Sequence, residues 1–172
     1  TAHSLHDLIN LSGRTAVVTG AAQGLGKAIA RRLAEAGANV VIGDRNAALA
    51  ESAAQELDAA FSGTVIASAM DVSDPASVAA TATLAEDRFG GIDIWVNNAG
   101  IFPHVPVSAM DPSQWDEVFA VNSRGSFLGC QAAVRSMTAK GRQGVLINIA
   151  SLAGIRGVSP GLAAYVGSKH AV

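Results

Sequence analysis

The stretch TAVVTGAAQGLGKAIARRLAEAGANVVIGD, residues 15–44, holds the pattern that decides the fold. Its first five residues, TAVVT, are mostly apolar and β-branched and predict a buried strand. A glycine-rich turn follows, and the apolar spacing from Leu25 to Ala36 predicts a helix that stops at Gly37. Residues 39–42, NVVI, predict a second strand. The segment is therefore predicted to form a strand, a tight turn, a helix and another strand.

The rest of the chain repeats this alternation of strand and helix. In the pairs Asp74-Pro75 and Asp111-Pro112, the aspartate is suited to cap a helix and the proline to occupy its first position. Short strands that are apolar on both faces predict a doubly wound parallel α/β sheet, the Rossmann fold, with helices on both sides. Ligands of such sheets bind beyond the carboxyl ends of the strands. The further predicted strands are 64–69, 92–96 and 145–149, and the further predicted helices are 47–57, 75–89, 112 to about 140, and one that starts near Ala163.

Length, composition and charge narrow the classes of function. With 172 residues, 49% of them hydrophobic, we expect residues 1–172 to form a single domain with one core. No uncharged apolar run approaches the ~20 residues that a membrane-spanning helix needs. A net charge of −2 with scattered Lys and Arg argues against nucleic acid and anionic membranes as partners. We therefore expect a small-molecule ligand, and no cluster of ligand-type residues predicts a metal site.

Cysteine usage and the first residues bear on location. Cys130 is the single cysteine, so no intrachain disulfide can form, which fits a reducing cytoplasm. We expect this thiol to be a packing residue of a helix. Residues 1–4 carry no basic-then-apolar signal pattern, and His3 and His6 are expected to be solvated.

The glycines at 20, 24 and 26 follow the first predicted strand and open the first helix. Glycine lets the backbone turn sharply and approach a pyrophosphate, while the helix N-terminus presents free N–H groups and a positive dipole. A tight turn needs glycine even when nothing binds. The position of this turn, and Asp44 at the end of the second strand, favour a dinucleotide site.

Asp44 and Arg45 bear on which dinucleotide binds. A carboxylate can accept hydrogen bonds from both adenosine ribose hydroxyls, whereas a 2′-phosphate would meet it with like charge. Asp44 therefore favours NAD over NADP. Arg45 could pair with a 2′-phosphate, or it could face solvent or the adenine, because neighbouring side chains of a strand point to opposite sides.

Two other strand ends carry candidate cofactor contacts. Asn97-Asn98-Ala99-Gly100 could fasten neighbouring strand ends through side-chain hydrogen bonds and leave room for a flat ligand. Asp71 could bond the adenine amino group with Val72 against its ring. Each segment, taken alone, could equally be a strand-terminating turn.

Tyr165-Val166-Gly167-Ser168-Lys169 is the most informative segment for chemistry. Residues four apart share a helix face, so the phenol and the ammonium can come close together. A nearby cation favours the ionised phenol and would let Tyr165 exchange a proton near neutral pH. Ser151 follows the fifth strand, with glycines and a proline between it and Tyr165, so both could face one pocket. A surface Tyr and Lys on an exposed helix would show the same spacing.

Thr19-Gly20-x-x-x-Gly24-x-Gly26, the Asn97–Gly100 segment, Ser151 and Tyr165-x-x-x-Lys169 together resemble the short-chain dehydrogenase/reductase family, in its compact single-domain branch. The resemblance runs from about Gly13 onward. It implies hydride transfer between a nicotinamide and a secondary alcohol or ketone, with Tyr165 as acid/base. It also implies that Lys169 activates Tyr165 and holds the nicotinamide ribose, that Ser151 bonds the substrate oxygen, and that Asn122 holds a water linked to Lys169. The predicted cofactor contacts are Gly20, Gln23, Gly24, Leu25, Gly26, Asp44, Arg45, Asp71, Val72, Asn98, Ala99, Gly100, Tyr165 and Lys169.

The resemblance also sets expectations for the assembly and extent of the protein. Members of the family form homo-oligomers, dimers or tetramers, and continue well beyond the position of Lys169 with two further strands and a substrate-binding loop. We therefore expect this chain to be incomplete at its C-terminus, and a product ending at Val172 to be unstable or inactive. A non-catalytic dinucleotide-binding regulator on the same fold is the alternative function, and a nicotinamide-dependent isomerase or dehydratase is another. Residues 101–104 suggest a partly apolar alcohol or ketone as the substrate, although His104 could equally lie in a surface loop.

Overall fold

Five parallel strands form one sheet at the centre of the computed structural model, which describes residues 8–157 and 159–172. Numbered in chain order, the strands lie side by side as 3-2-1-4-5. The chain therefore moves outward from the first strand in one direction and then crosses to the other side of it. This order confirms the predicted doubly wound arrangement, while residues 1–4, His3 and His6 lie outside the described residues. The strands are β1 (Thr15–Thr19), β2 (Asn39–Asp44), β3 (Val65–Ala69), β4 (Ile94–Asn97) and β5 (Val145–Asn148).

Helices cover both faces of this sheet. Alternate residues of β1 point to opposite sides: Val18 packs in the cluster that includes Ala30 and Ala50, and Val17 packs in the cluster that includes Val78 and Ala133. The helices that carry Ala30 and Ala50 therefore lie on one face, and those that carry Val78 and Ala133 lie on the other. The helices are α1 (Gly24–Glu35), α2 (Ala47–Ala60), α3 (Pro75–Phe89), α4 (Pro112–Phe119), α5 (Gly125–Ala139) and α6 (Ala163–Ala171).

Local capping chemistry fixes the ends of two helices as expected. The Asp74 carboxylate accepts the backbone N–H of Ala76 and of Ser77 at the start of α3, and Gly90 ends that helix in the left-handed conformation. Asp111 and Gln114 form a capping box at the start of α4. These bonds satisfy backbone groups that a helix end leaves free.

The single long helix predicted from 112 to about 140 is wrong in one respect. A π-helical turn, Ala120–Arg124, separates α4 from α5. The turn carries the fully buried Asn122, whose side-chain amide bonds groups outside the helix. π turns of this kind often occur at functional sites, because they redirect a side chain without ending the helix.

The register brings the carboxyl ends of all five strands to one edge. Thr19 pairs with Gly43, Asp44 with Ala69, and Asn97 with Asn148. At the lateral edge of the sheet, β5 is exposed, with Val145 at 54% and Ile147 at 40%. Apolar side chains of β5 are therefore exposed at this edge of the sheet. None of the helices in the described ranges is long and apolar enough to cross a membrane.

Candidate active site

A cleft of about 550 Å³ lies at the carboxyl edge of the sheet. It gathers residues from the end of every strand and from α6, as the Rossmann arrangement predicts. Of the predicted site residues, only Gly24, Asn122 and Ser151 are not among its lining. The lining residues are Gly20, Gln23, Leu25, Gly26, Asp44, Arg45, Met70, Asp71, Val72, Asn98, Ala99, Gly100, Ile101, Phe102, Ile149, Ala150, Tyr165 and Lys169.

The turn between β1 and α1 needs glycine at each of the three predicted positions. Gly20 and Gly24 have φ of +63° and +57°, values that disfavour any residue with a side chain. A Cβ at Gly26 would lie 2.2 Å from the Gly20 carbonyl oxygen. No side chain caps α1, so the N–H groups of its first turn stay available to a ligand. The position of Gly24 in this turn, with open space around it, is compatible with a ligand passing close to the backbone.

Two carboxylates flank the far end of the cleft. The Asp44 carboxylate is oriented by the backbone N–H groups of Ala22 (3.1 Å) and Asn46 (3.0 Å). The Asp71 carboxylate accepts the hydroxyl and the backbone N–H of Ser73, and these bonds, aided by the charge of Arg45, hold the pKa of Asp71 below its ordinary value. Arg45 is exposed and lines the cleft as well. Both carboxylates are therefore pre-oriented by hydrogen bonds.

Asn97, the last residue of β4, and Asn98, which follows it, join strand ends, as their position suggested. Asn98 Nδ2 donates to the carbonyl oxygens of Thr19 (2.9 Å) and Gly20 (3.1 Å), while the Thr19 hydroxyl accepts the backbone N–H of Asn98 and Ala99. Asn97 Nδ2 donates to Asn148 Oδ1 at 2.8 Å, linking β4 to β5. These bonds hold the floor of the cleft in place.

Tyr165 and Lys169 lie together on the face of α6 that borders the cleft. Lys169 Nζ is 5.9 Å from the centroid of the Tyr165 ring and donates to the Ile149 carbonyl oxygen at 2.6 Å. Only 7% of Lys169 is exposed, and this burial lowers the pKa of its ammonium. The ring of Phe102 packs edge-on against Tyr165, with centroids 5.9 Å apart. A phenol, a cation and an apolar wall therefore meet at one end of the cleft.

Ser151 and Asn122 do not line the cleft, but each lies next to a residue that does: Ser151 follows Ala150, and Asn122 bonds Ile101. Ser151 Oγ accepts the backbone N–H of Ala153, so the side chain starts a short 3₁₀ turn. Asn122 bonds both backbone groups of Ile101 and the hydroxyl of Ser168. Asn122 therefore supports the lining without forming part of it.

Sequence reasoning missed three lining residues as site candidates. They are Met70, which follows β3, and Ile149 and Ala150, which follow β5. Like the residues that were identified, they lie at the carboxyl ends of strands. Their only sequence signal is that position, because apolar residues after a strand are ordinary. The predicted packing role of Cys130 agrees with its partly buried position in α5, beside Asn97 and Asn148.

Comparison with known families decides what kind of protein has this fold and cleft. The model of one family, described as short chain dehydrogenase, matches residues 14–172. The chain belongs to the short-chain dehydrogenase family. The match includes the glycine turn, the Asn97–Gly100 segment and Tyr165-x-x-x-Lys169, which were the basis of the resemblance seen in the sequence.

Individual members of the short-chain dehydrogenase family are similar to the chain over nearly all of its length. It is 40% identical over 164 residues to a sorbitol dehydrogenase of Cereibacter sphaeroides, covering 95% of this chain and 62% of that protein. It is 41% identical over 160 residues to a D-beta-hydroxybutyrate dehydrogenase of Rhizobium meliloti, covering 92% and 61%. A crystal structure of a short-chain type dehydrogenase/reductase from Mycobacterium marinum superposes with a TM-score of 0.93 at 35% identity, covering 98% and 68%. The chain thus spans a little over three-fifths of the length of these two curated relatives.

Proposed function

We propose that this protein is an NAD(P)-dependent oxidoreductase that moves a hydride between a nicotinamide and a secondary alcohol or ketone, with Tyr165 as the acid/base. One observation carries the proposal: Tyr165 and the buried Lys169 line the same cleft as the glycine turn and Asp44. The candidate acid/base residues and a site large enough for a dinucleotide thus belong to one cleft. The names of the relatives, which are dehydrogenases, agree with this reaction class.

The cleft fits a dinucleotide. Its volume of about 550 Å³ lies within the range of small-molecule sites. At one end the uncapped start of α1 and the glycine turn suit a pyrophosphate, and Asp44 and Asp71 suit hydroxyl and amino donors. Lys169 at the other end would hold the nicotinamide ribose. When bound, the nicotinamide supplies or accepts the hydride.

The protein's own residues handle the proton. We assign to Tyr165 the transfer of a proton to or from the substrate oxygen. Lys169, fixed by the Ile149 carbonyl, places a positive charge beside the phenol and stabilises negative charge that develops on the phenol oxygen. Ser151 Oγ accepts the Ala153 N–H, so its own proton is free to hydrogen-bond the substrate oxygen. We also assign to Asn122 the binding of a water that connects Lys169 to solvent.

We propose NAD rather than NADP as the preferred cofactor. The Asp44 carboxylate is oriented toward the cleft by two backbone N–H groups, so it meets a 2′-phosphate as a fixed like charge. Arg45 is the residue that opposes this preference. Ile101 and Phe102 form the wall next to Tyr165 and favour a substrate with an apolar flank.

The remaining proposals concern the whole protein. We propose that residues 1–172 belong to one dinucleotide-binding domain, that the protein acts in the cytoplasm, and that it assembles as a homodimer or homotetramer. A single cysteine, Cys130, among these 172 residues fits a reducing compartment. Light scattering of the purified protein tests the assembly.

A substrate panel tests the reaction. The purified protein is incubated with secondary alcohols and NAD or NADP, and with ketones and the reduced cofactors, and nicotinamide absorbance is followed. We expect turnover that is faster with NAD. Binding of the cofactor without turnover on any panel member would favour a non-catalytic regulator, while formation of product without net NADH would favour an isomerase or dehydratase.

A further inference from the structure

Ser168 is a fully buried residue of α6 that lies between Tyr165 and Lys169 and does not line the cleft. Its hydroxyl donates to the Tyr165 carbonyl oxygen at 2.8 Å and accepts Asn122 Nδ2 at 2.9 Å. Since a carbonyl can only accept, the hydroxyl proton is committed to Tyr165. The oxygen of Ser168 is therefore held ready as an acceptor for the Asn122 amide.

The other hydrogen bonds of the Asn122 amide go to Ile101, in the loop that follows β4. Nδ2 donates to the Ile101 carbonyl oxygen at 2.9 Å, and Oδ1 accepts the Ile101 N–H at 2.8 Å. Both amide hydrogens are thus used, one by Ile101 and one by Ser168. Asn122 is fully buried, so removal of either acceptor would leave an N–H unbonded away from water.

The Asn122 amide borders the reactive end of the cleft. A Cβ built on Gly100 would lie 3.3 Å from Asn122 Oδ1 and 3.8 Å from Lys169 Nζ. The amide and the ammonium therefore flank the same point of the cleft floor. A shift of the amide would move the floor at Gly100 and Ile101 relative to α6.

We propose that Ser168 is a positioning residue: through the Asn122 amide it fixes the Ile101 end of the cleft floor against the helix that carries Tyr165 and Lys169. The catalytic meaning of this role rests on the proposed function, whereas the hydrogen-bond relay does not. Ser168 does not line the cleft, so this role places it out of contact with substrate and cofactor. Its removal should therefore act on the placement of the reacting groups.

Ser123 offers a matched control. Its hydroxyl donates to the Ser168 carbonyl oxygen at 3.1 Å. This bond also connects the π turn to α6, but it does not involve the Asn122 amide. Ser123→Ala and Ser168→Ala each delete one hydroxyl from the same helix contact. A purely structural role predicts similar results for the two variants.

The first test is amide hydrogen exchange, followed by NMR on the cofactor-free protein. We expect Ser168→Ala to speed exchange of the Ile101 N–H about tenfold, because the amide that holds it loses a bond. Ser123→Ala should leave it within about twofold, and Ser168→Thr, which keeps the hydroxyl, should restore protection. If Ser168→Ala does not fold, Ser168→Cys, with its weaker hydrogen bonds, is measured instead. Equal exchange at Ile101 in the Ser168 and Ser123 variants would overturn the proposal.

The second test is a double-mutant cycle on turnover. We expect Ser168→Ala to lower kcat about tenfold in the native background and less than about twofold in an Asn122→Ala background, since the effect passes through Asn122. A tenfold loss in both backgrounds would contradict the relay. Faster Ile101 exchange in a protein that shows no nicotinamide-linked turnover would support the relay and count against the proposed function.

Discussion

Replacing Gly26 with alanine should destabilise the protein and weaken cofactor binding. In an ordinary helix interior, Gly→Ala stabilises by about 1 kcal/mol. Here the new methyl would lie 2.2 Å from the Gly20 carbonyl oxygen, 2.5 Å from Asn98 Nδ2 and 2.9 Å from Ala21 Cα. Two of these atoms are backbone, so rotation of a side chain cannot relieve the clash.

The cost of that clash exceeds the gain in helix propensity. Overpacking of a closely packed site costs about 1–3 kcal/mol. Displacing Asn98 Nδ2 also weakens its bonds to Thr19 and Gly20, each contributing about 0.5–1.5 kcal/mol. The net expectation is a loss of about 1–4 kcal/mol in the free energy of unfolding.

Urea unfolding, followed by far-UV circular dichroism, measures this loss, and titration with NAD measures the affinity. Gly24→Ala is the control: its Cβ would meet nothing within 4 Å, and only its positive φ costs about 1–2 kcal/mol. We expect the greater loss of stability at Gly26. A Gly26→Ala protein as stable as the native one, with unchanged affinity for NAD, would refute the steric account of this turn.

Three further predictions follow from individual side chains. Asp93→Ala should cost about 1–3 kcal/mol of unfolding free energy, because its carboxylate accepts the N–H of the fully buried Thr15. Arg14→Ala should cost under about 1 kcal/mol, because the Arg14 side chain is 58% exposed; equal losses in urea unfolding would contradict this ranking. Asp44→Asn should shift the ratio of NADP to NAD affinity about tenfold toward NADP, measured by titration with both cofactors, and an unchanged ratio would remove Asp44 as the selector. Burial lowers the pKa of Lys169 in the folded protein below the ordinary value of 10.5, so the unfolded chain holds this proton more tightly and stability should rise with pH between the lowered pKa and 10.5. Urea unfolding across this pH interval should show a smaller rise in stability for Lys169→Met than for the native protein. An equal rise in the two proteins would disprove this prediction.

Elements and strand-end residues were predictable because local pattern decides them. The segment from Thr15 to Asp44 contains an apolar strand, a glycine turn, an amphipathic helix and a second strand. Each of these is determined by residues close together in the sequence. The carboxyl ends of parallel strands meet at one edge, so the shared position of Gly20, Asp44 and Asn98 followed from topology alone.

Features set by distant contacts were not predictable. The π turn carries Asn122, whose side chain bonds Ile101 and Ser168, 21 and 46 residues away in sequence. The bond from Lys169 to the Ile149 carbonyl is of the same kind. No local pattern encodes such pairings, and the sequence identified Lys169 without revealing what holds it.

Turnover of a Tyr165→Phe variant tests the central claim most directly. Phenylalanine keeps the ring that packs against Phe102 and removes only the hydroxyl, so folding and NAD affinity should stay close to native. With a substrate of the native protein, we expect kcat to fall by at least about 10²-fold, the contribution typical of a positioned acid/base. A folded variant that binds NAD and keeps near-native kcat would contradict the assignment of Tyr165.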